Sequence, residues 1–159
     1  MKVIILRGMS GAGKSTYAKK NYPNAYVVSA DTYHMVDGEY RFNPANAGKA
    51  HAQCLRGFTA FLVNKHGTED RIVVDNTNTT VAEVAPYAAL ALAYGCELEI
   101  VTLDTPFDKA HGRNVHSVPL NVAKAQWERL HQEGARFPKW WPQRLVFDNQ
   151  DLGFVKTHS

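Results

Sequence analysis

VIILRGMSGAGKST, residues 3 to 16, decides the fold. Four apolar residues, Val3 to Leu6, make a short buried strand. Gly8 to Ser15 then read GxxxxGK[ST], a glycine loop whose backbone N–H groups turn inward onto phosphate. The loop elements are Gly8, Ser10, Gly11, Ala12, Gly13, Lys14, Ser15 and Thr16. Lys14 reaches the outer phosphates, the Ser15 hydroxyl completes a Mg²⁺ shell, and the helix that begins there adds its positive dipole end. Strand, loop and helix follow in the required order, so the chain is expected to bind ATP with Mg²⁺.

Working outward, short β-branched runs alternate with helical periodicity, which argues for a three-layer α/β fold around a parallel sheet. Strands are expected at about 3–7, 26–29, 71–75, 97–103 and 144–147. Helices are expected over about 14–21, 45–65, 81–94, 106–113 and 119–132. Thr79 or Thr80 with Glu83 makes a capping box for the third. RIVVD, residues 71–75, is apolar up to its aspartate, as a strand covered on both faces would be. The run 97–103 alternates more and is expected nearer an edge. Residues 106–133 form a helical lid, and 134–159 read as an irregular tail apart from LVFDN.

The 159 residues fit one domain, and 45% hydrophobic with 21% charged residues is the balance of an ordinary globular protein. No apolar run approaches a membrane span, and the N-terminal apolar stretch stops at Arg7, too short for a signal-peptide core. A cytoplasmic location is the expectation, with no membrane partner, and the sequence points to no protein partner. Cys54 and Cys96 lack metal-ligand spacing and read as reduced thiols. Charge is uneven. Residues 106–144 hold seven basic and three acidic side chains, a local net of +4 in a chain of net +3. That suits a polyanionic substrate or the triphosphate, and equally a solvated basic face.

Parallel sheets place ligands at the carboxyl ends of their strands, which singles out Asp31 after YVVSA and Asp75 after IVV. The carboxylate on the strand nearer the loop, Asp75, can orient Mg²⁺. The outer one, Asp31, can accept a proton from a hydroxyl attacking the γ-phosphate, or can simply cap the short helix that follows. Asp75 opens DNTNTT, whose Asn76, Thr77 and Asn78 either bind substrate or shape the loop. Arg113, at a break between two helices, can neutralise phosphate charge from a lid or be an exposed helix-end arginine favoured by the dipole, and His116 beside it can assist or be solvated. His34 carries two readings as well, a substrate contact or a solvated loop histidine. Trp140 and Trp141 either cover apolar surface or stack bases.

GMSGAGKST, Asp31 in SADTYH, DGEYRFNP at 37–44, DNTN at 75–78 and RNVHSVP at 113–119, in this order, resemble the P-loop kinases related to polynucleotide 5′-hydroxyl kinase. The resemblance covers about residues 1–135 and concerns the kinase part, without a phosphatase domain. It implies a sheet of order 2-3-1-4-5 and ATP-dependent transfer to a hydroxyl. Lys14 and Ser15 would hold phosphate and Mg²⁺, Asp31 would be the general base and Arg113 the lid arginine. Two positions depart from the phage enzyme's pattern. His34 stands where an arginine would grip an acceptor phosphate, and the family aspartate of the SDTN stretch aligns with Asn76 as readily as with Asp75. The acceptor reading is therefore the 5′-OH of DNA or RNA, with a hydroxymethylated base or a small metabolite as the alternative hydroxyl and a non-catalytic nucleotide switch as the alternative class.

The basic third is testable. Replacing Lys124, Arg129 and Lys139 together should weaken binding of a 5′-OH oligonucleotide and flatten its dependence on salt, by roughly one unit of log–log slope for each phosphate that is no longer neutralised. Titrations at several salt concentrations check this, and an unchanged slope reduces the patch to a solvated surface.

Overall fold

In the computed structural model, residues 1–113, 117–149 and 153–158 are described. β1 (Lys2–Arg7) runs into the glycine loop and α1 (Lys14–Asn21), and β2 (Tyr26–Val28) leads to a 3₁₀ turn, Ala30–His34. A hairpin follows, β3 (Met35–Val36) and β4 (Glu39–Tyr40), then α2 (Ala47–Lys65). Next come β5 (Arg71–Asp75), α3 (Val81–Ala93), β6 (Glu97–Asp104), α4 (Phe107–Gly112) and α5 (Leu120–Glu133), and finally β7 (Gln143–Asn149) and β8 (Gly153–His158).

The main sheet has the order β2-β5-β1-β6-β7-β8, with β7 and β8 antiparallel and every other pair parallel. Counting only the parallel strands in chain order, this is the expected 2-3-1-4-5. Alternate residues of β1 feed two cores. Val3 and Ile5 pack with Ala50, Cys54, Phe58 and Leu62, the i, i+4 stripe of α2, and with α3. Ile4 and Leu6 pack on the opposite face with Tyr17 and Ala18 of α1, Ala110 of α4 and Ala123 of α5. Helices on both faces of a mostly parallel sheet give the three-layer α/β architecture of a P-loop kinase.

Two expectations are corrected. β6 is not near an edge, because β1 and β7 flank it on both sides. Its alternating pattern has another cause, since its polar residues meet partners. Glu99 is ion-paired with Lys2 at 2.9 Å and Arg144 at 2.7 Å, Thr102 accepts from Arg7, and Asp104 meets His131. Residues 134–159 are likewise not an irregular tail. β7 extends the sheet in parallel from β6, and β8 returns antiparallel along it. The tryptophans before β7 divide their roles: Trp141 is buried against Phe137, whereas Trp140 is 75% exposed.

The capping box forms as read, with Thr80 Oγ1 accepting from the Glu83 N–H at 3.2 Å and both Thr79 and Thr80 hydroxyls donating to Glu83 Oε1. The β3–β4 hairpin is an addition to the expected elements, although its signal is local. Asp37 and Gly38 both have positive φ, 52° and 80°, the two-residue turn that an Asp-Gly pair favours between strands.

Arg7, at the carboxyl end of β1, is 2% exposed. Its Nε donates to Asn78 O at 2.7 Å, one terminal nitrogen to Thr79 O at 2.9 Å and the other to Thr102 Oγ1 at 3.0 Å. Its guanidinium carbon lies 4.1 Å from the centre of the Phe137 ring. Burial pulls the group down to about 10, opposed by Glu83 and Glu133, so it stays charged at neutral pH. An Arg7→Met variant keeps bulk but leaves two buried carbonyls without a donor. It should lose about 3 kcal/mol of stability, read as a lowered midpoint in urea unfolding.

Candidate active site

The glycine loop is held from several sides. Gly8 N–H donates to Thr77 O at 3.0 Å, which ties the loop entrance to the end of β5. The Thr105 hydroxyl donates to Ala12 O at 2.8 Å, and Ser10 N–H donates to Gln126 Oε1 of α5 at 2.9 Å. Gly11 has φ +83°, and a Cβ there would lie 2.0 Å from the carbonyl oxygen of Ala110. Only glycine lets α4 approach the loop this closely. Lys14 Nζ lies against the loop carbonyls of Gly8 and Met9, at 3.0 and 3.1 Å. Burial lowers the Lys14 ammonium, while Asp75 and then Asp31 pull it back up. Both carboxylates therefore act on the one cation.

Ser15 Oγ donates to Asp75 Oδ2 at 2.7 Å. Of the two residues at the end of β5, it is Asp75 that reaches the loop. Asn76 is 7% exposed and turns the other way. Its Oδ1 accepts from Ala30 N–H at 2.8 Å and its Nδ2 contacts Cys54 Sγ at 3.5 Å, so it fixes the turn that carries Asp31. That turn is capped by Ser29, whose hydroxyl accepts from the Asp31 N–H at 3.2 Å. The capping task is thus met by Ser29, and the Asp31 carboxylate faces a cavity instead.

The cavity has a volume of about 720 Å³. Ser10, Gly11, Gly13, Lys14, Ser15 and Thr16 of the loop line it, with Asp75, Asn76 and Thr77. Asp31 and His34 line it as well, as do Arg113, Val118, Val122 and Gln126 of the lid segment. Three residues singled out in the sequence lie off the cavity. Gly8 and Ala12 act through the backbone contacts above. Asn78, at φ 47° and 1% exposed, donates from Nδ2 to Leu6 O at 2.8 Å. It joins two strand ends. His116 lies outside the described residues.

Sequence reading missed Tyr40, Phe42, His51 and Gln126, all of which line the cavity. The Asp-Gly turn would have signalled the hairpin that brings Tyr40 and Phe42 in. Gln126 carried no local signal, because its contact with Ser10 spans 116 residues. A second hollow of about 430 Å³, near Arg7, Asp104 and His131, contains none of the phosphate-loop residues. Among the described residues no cluster of three or more His, Cys, Asp or Glu side chains could cage a metal. Ser15 with Asp75 fits Mg²⁺, which keeps waters and is held by one or two carboxylates plus substrate phosphates.

Residues 3–135 match the family described as an AAA domain. The chain belongs to that family. It is 30% identical over 143 residues to human NEDD4-binding protein 2, covering 85% of this chain and 8% of that protein. The chain thus spans a small part of that relative. Among solved structures it superposes on the Pnkp1/Rnl/Hen1 RNA repair complex with a TM-score of 0.68 and 20% identity, covering 86% of this chain and 46% of that one. A gluconokinase from Sinorhizobium meliloti 1021 gives a TM-score of 0.62 at 16% identity, with 95% and 85% covered. At these identities the likeness concerns the fold, which is that of P-loop kinases. Among the described residues no helix is long and apolar enough to cross a membrane.

The Gly11 contact can be tested directly. Gly11→Ala should cut ATP affinity by more than about tenfold, because strain at positive φ and a backbone clash both displace the loop. Calorimetric titration with ATP and Mg²⁺ measures it; affinity within about twofold of the parent would show that α4 yields without moving the loop.

Proposed function

We propose that the protein is an ATP-dependent kinase that transfers the γ-phosphate to a hydroxyl, with the 5′-OH of DNA or RNA as acceptor. One observation carries the reading: the phosphate loop with Lys14 and Ser15, the Asp75 beside it and the Asp31 carboxyl residue all line a single cavity. Phosphoryl transfer needs in-line positioning and neutralisation of charge more than covalent help from the protein, and this layout supplies both.

ATP lies with its phosphates on the backbone N–H groups of the loop and the N-terminus of α1. Ser15 and Asp75 would hold Mg²⁺, which when bound supplies positive charge to the β- and γ-phosphate oxygens. Asp31 takes the acceptor's hydroxyl proton as that oxygen bonds to the γ-phosphorus. The bond to the β,γ-bridging oxygen breaks and ADP leaves. Lys14 and Arg113 offset the negative charge that develops on the transferring group.

The nucleic-acid acceptor is supported by the ordered motif set shared with polynucleotide kinases and by the basic stretch 106–144. The likeness to a chain of an RNA repair complex adds to it. A nucleic-acid partner and a cytoplasmic location belong to this reading.

The deciding experiment offers γ-labelled ATP with Mg²⁺ and a panel of acceptors: 5′-OH DNA and RNA, hydroxymethyluracil DNA, gluconate and free nucleosides. Transfer should go to the 5′-OH oligonucleotides. Asp31→Asn should lower kcat by about 10²- to 10⁴-fold while ATP affinity stays within a few-fold. Undiminished transfer by the variant removes Asp31 as base. Failure of the parent protein to label any acceptor points to a nucleotide-binding switch instead.

A further inference from the structure

The acceptor end of the cavity is built differently from the donor end. Between residues 40 and 51 the chain lines it with Tyr40, Phe42, Pro44, Ala47 and His51. Phe42 is 56% exposed although it lines a cavity beside a buried polar site. Its open ring is available to whatever occupies the cavity.

Its ring packs on the turn that carries Asp31. His34, 5% exposed, places its ring 5.0 Å from Phe42 at 59° and 5.9 Å from Tyr40 at 69°. Tyr33 closes the far side of His34 at 6.0 Å, ring edge to face. The Arg41 N–H donates to His34 O at 2.8 Å and locks the hairpin onto the turn that carries Asp31. Tyr40 in turn donates its hydroxyl to the Asp31 carboxylate. Burial, with Asp31 beside it, pushes the Tyr40 phenol up to about 12, so it remains a donor throughout the neutral range. Contacts thus link Asp31 to Tyr40, Tyr40 to His34 and His34 to Phe42. His34 therefore acts as an aromatic spacer rather than as a phosphate grip.

The chemistry of this wall selects a kind of ligand. A sugar or a polyol laid on Phe42, Pro44 and Ala47 would find His51 as its one hydrogen-bonding side chain on this wall, because Tyr40 is taken by Asp31. A flat heteroaromatic ring presents a π face to Phe42 and keeps its polar edge toward water. In a nucleoside, the base hangs from the far side of the sugar that bears the 5′-hydroxyl. With that hydroxyl at Asp31, the base falls about one ring farther out.

We propose that Phe42, backed by His34, is a stacking platform for the terminal nucleobase of the acceptor, placing that nucleoside's hydroxyl at the Tyr40–Asp31 pair. This rests on the reading of the cavity as a hydroxyl-kinase site and names its acceptor as nucleoside-bearing. Of residues 40–51 that line this end, Tyr40 is occupied by Asp31, which leaves His51 to read a base edge. Recognition by stacking is tolerant of base identity.

The test uses two 5′-OH oligonucleotides of equal length and charge. One carries an ordinary 5′-terminal nucleotide and the other an abasic tetrahydrofuran residue there. Anisotropy of a 3′ dye gives equilibrium binding, and γ-labelled ATP gives kinetics. The base-bearing oligonucleotide should bind about 10- to 100-fold tighter and show a KM lower by the same factor. Phe42→Ala should erase that difference without changing the KM for ATP, and Phe42→Trp should keep it. The four bases at the terminal position should agree within about fivefold. Equal binding of the two oligonucleotides, or a difference that survives Phe42→Ala, overturns the platform while leaving the kinase reading intact. Base- and Phe42-dependent binding without any transfer supports the platform and overturns the kinase reading.

Discussion

Arg7 sits where the central strand ends, with Nε and both terminal nitrogens bonded to different parts of the chain. Two of its bonds hold the loop after β5 by its carbonyls, the third reaches β6, and its face carries Phe137 from the segment before β7. A buried guanidinium is stable only when its donors are satisfied, so this position forces those elements to meet at fixed geometry. Asn78 works in the same place from the other direction, donating to the Leu6 carbonyl one residue before Arg7. The strand ends of a parallel sheet are where ligands bind, and here they are clamped before any ligand arrives.

The catalytic layout follows from that clamp. With the loop after β5 fixed, Thr77 can accept from Gly8 at the entrance of the phosphate loop, and Asp75 can accept from Ser15 at its exit. Asn76, between them, reaches across to Ala30 and sets the turn on which Asp31 rides. Three consecutive residues thus hold the phosphate loop, the Asp75 carboxylate and the turn that carries Asp31. From above, α4 presses a carbonyl onto Gly11 and α5 sends Gln126 to Ser10, so the lid helices touch the loop they cover. Preorganisation of this kind is what phosphoryl transfer asks of a protein.

Much of this was legible in the chain. The glycine loop, the alternation of strands and helices, and the order of the parallel strands follow from local pattern and from the motif set. Asp31, Asp75 and Arg113 stood out because strand ends and helix breaks are where ligands are met. What escaped was the part determined by pairing over long distances. β6 reads as an edge strand because Glu99, Thr102 and Asp104 look solvent-facing until Lys2, Arg144, Arg7 and His131 arrive from elsewhere in the sequence. β8 reads as tail because its place in the sheet comes from β7, itself a late and weakly marked strand. Asn76 and Asn78 read as substrate ligands or as loop formers; Asn78 joins strand ends, and Asn76 lines the cavity while its amide also holds the Asp31 turn, a division that an isolated motif does not carry.

The proposed reaction is one direct transfer, between a triphosphate on the glycine loop and a hydroxyl at Asp31, and it would give all of these groups their roles. The measurement that addresses it most directly is the configuration at phosphorus after transfer from ATP made chiral at its γ-phosphate by oxygen isotopes, with a 5′-OH oligonucleotide as acceptor. A single in-line displacement predicts inversion. Retention would require an intermediate phosphorylated on the protein and would contradict the role given to Asp31 and to the cavity that joins it to the loop.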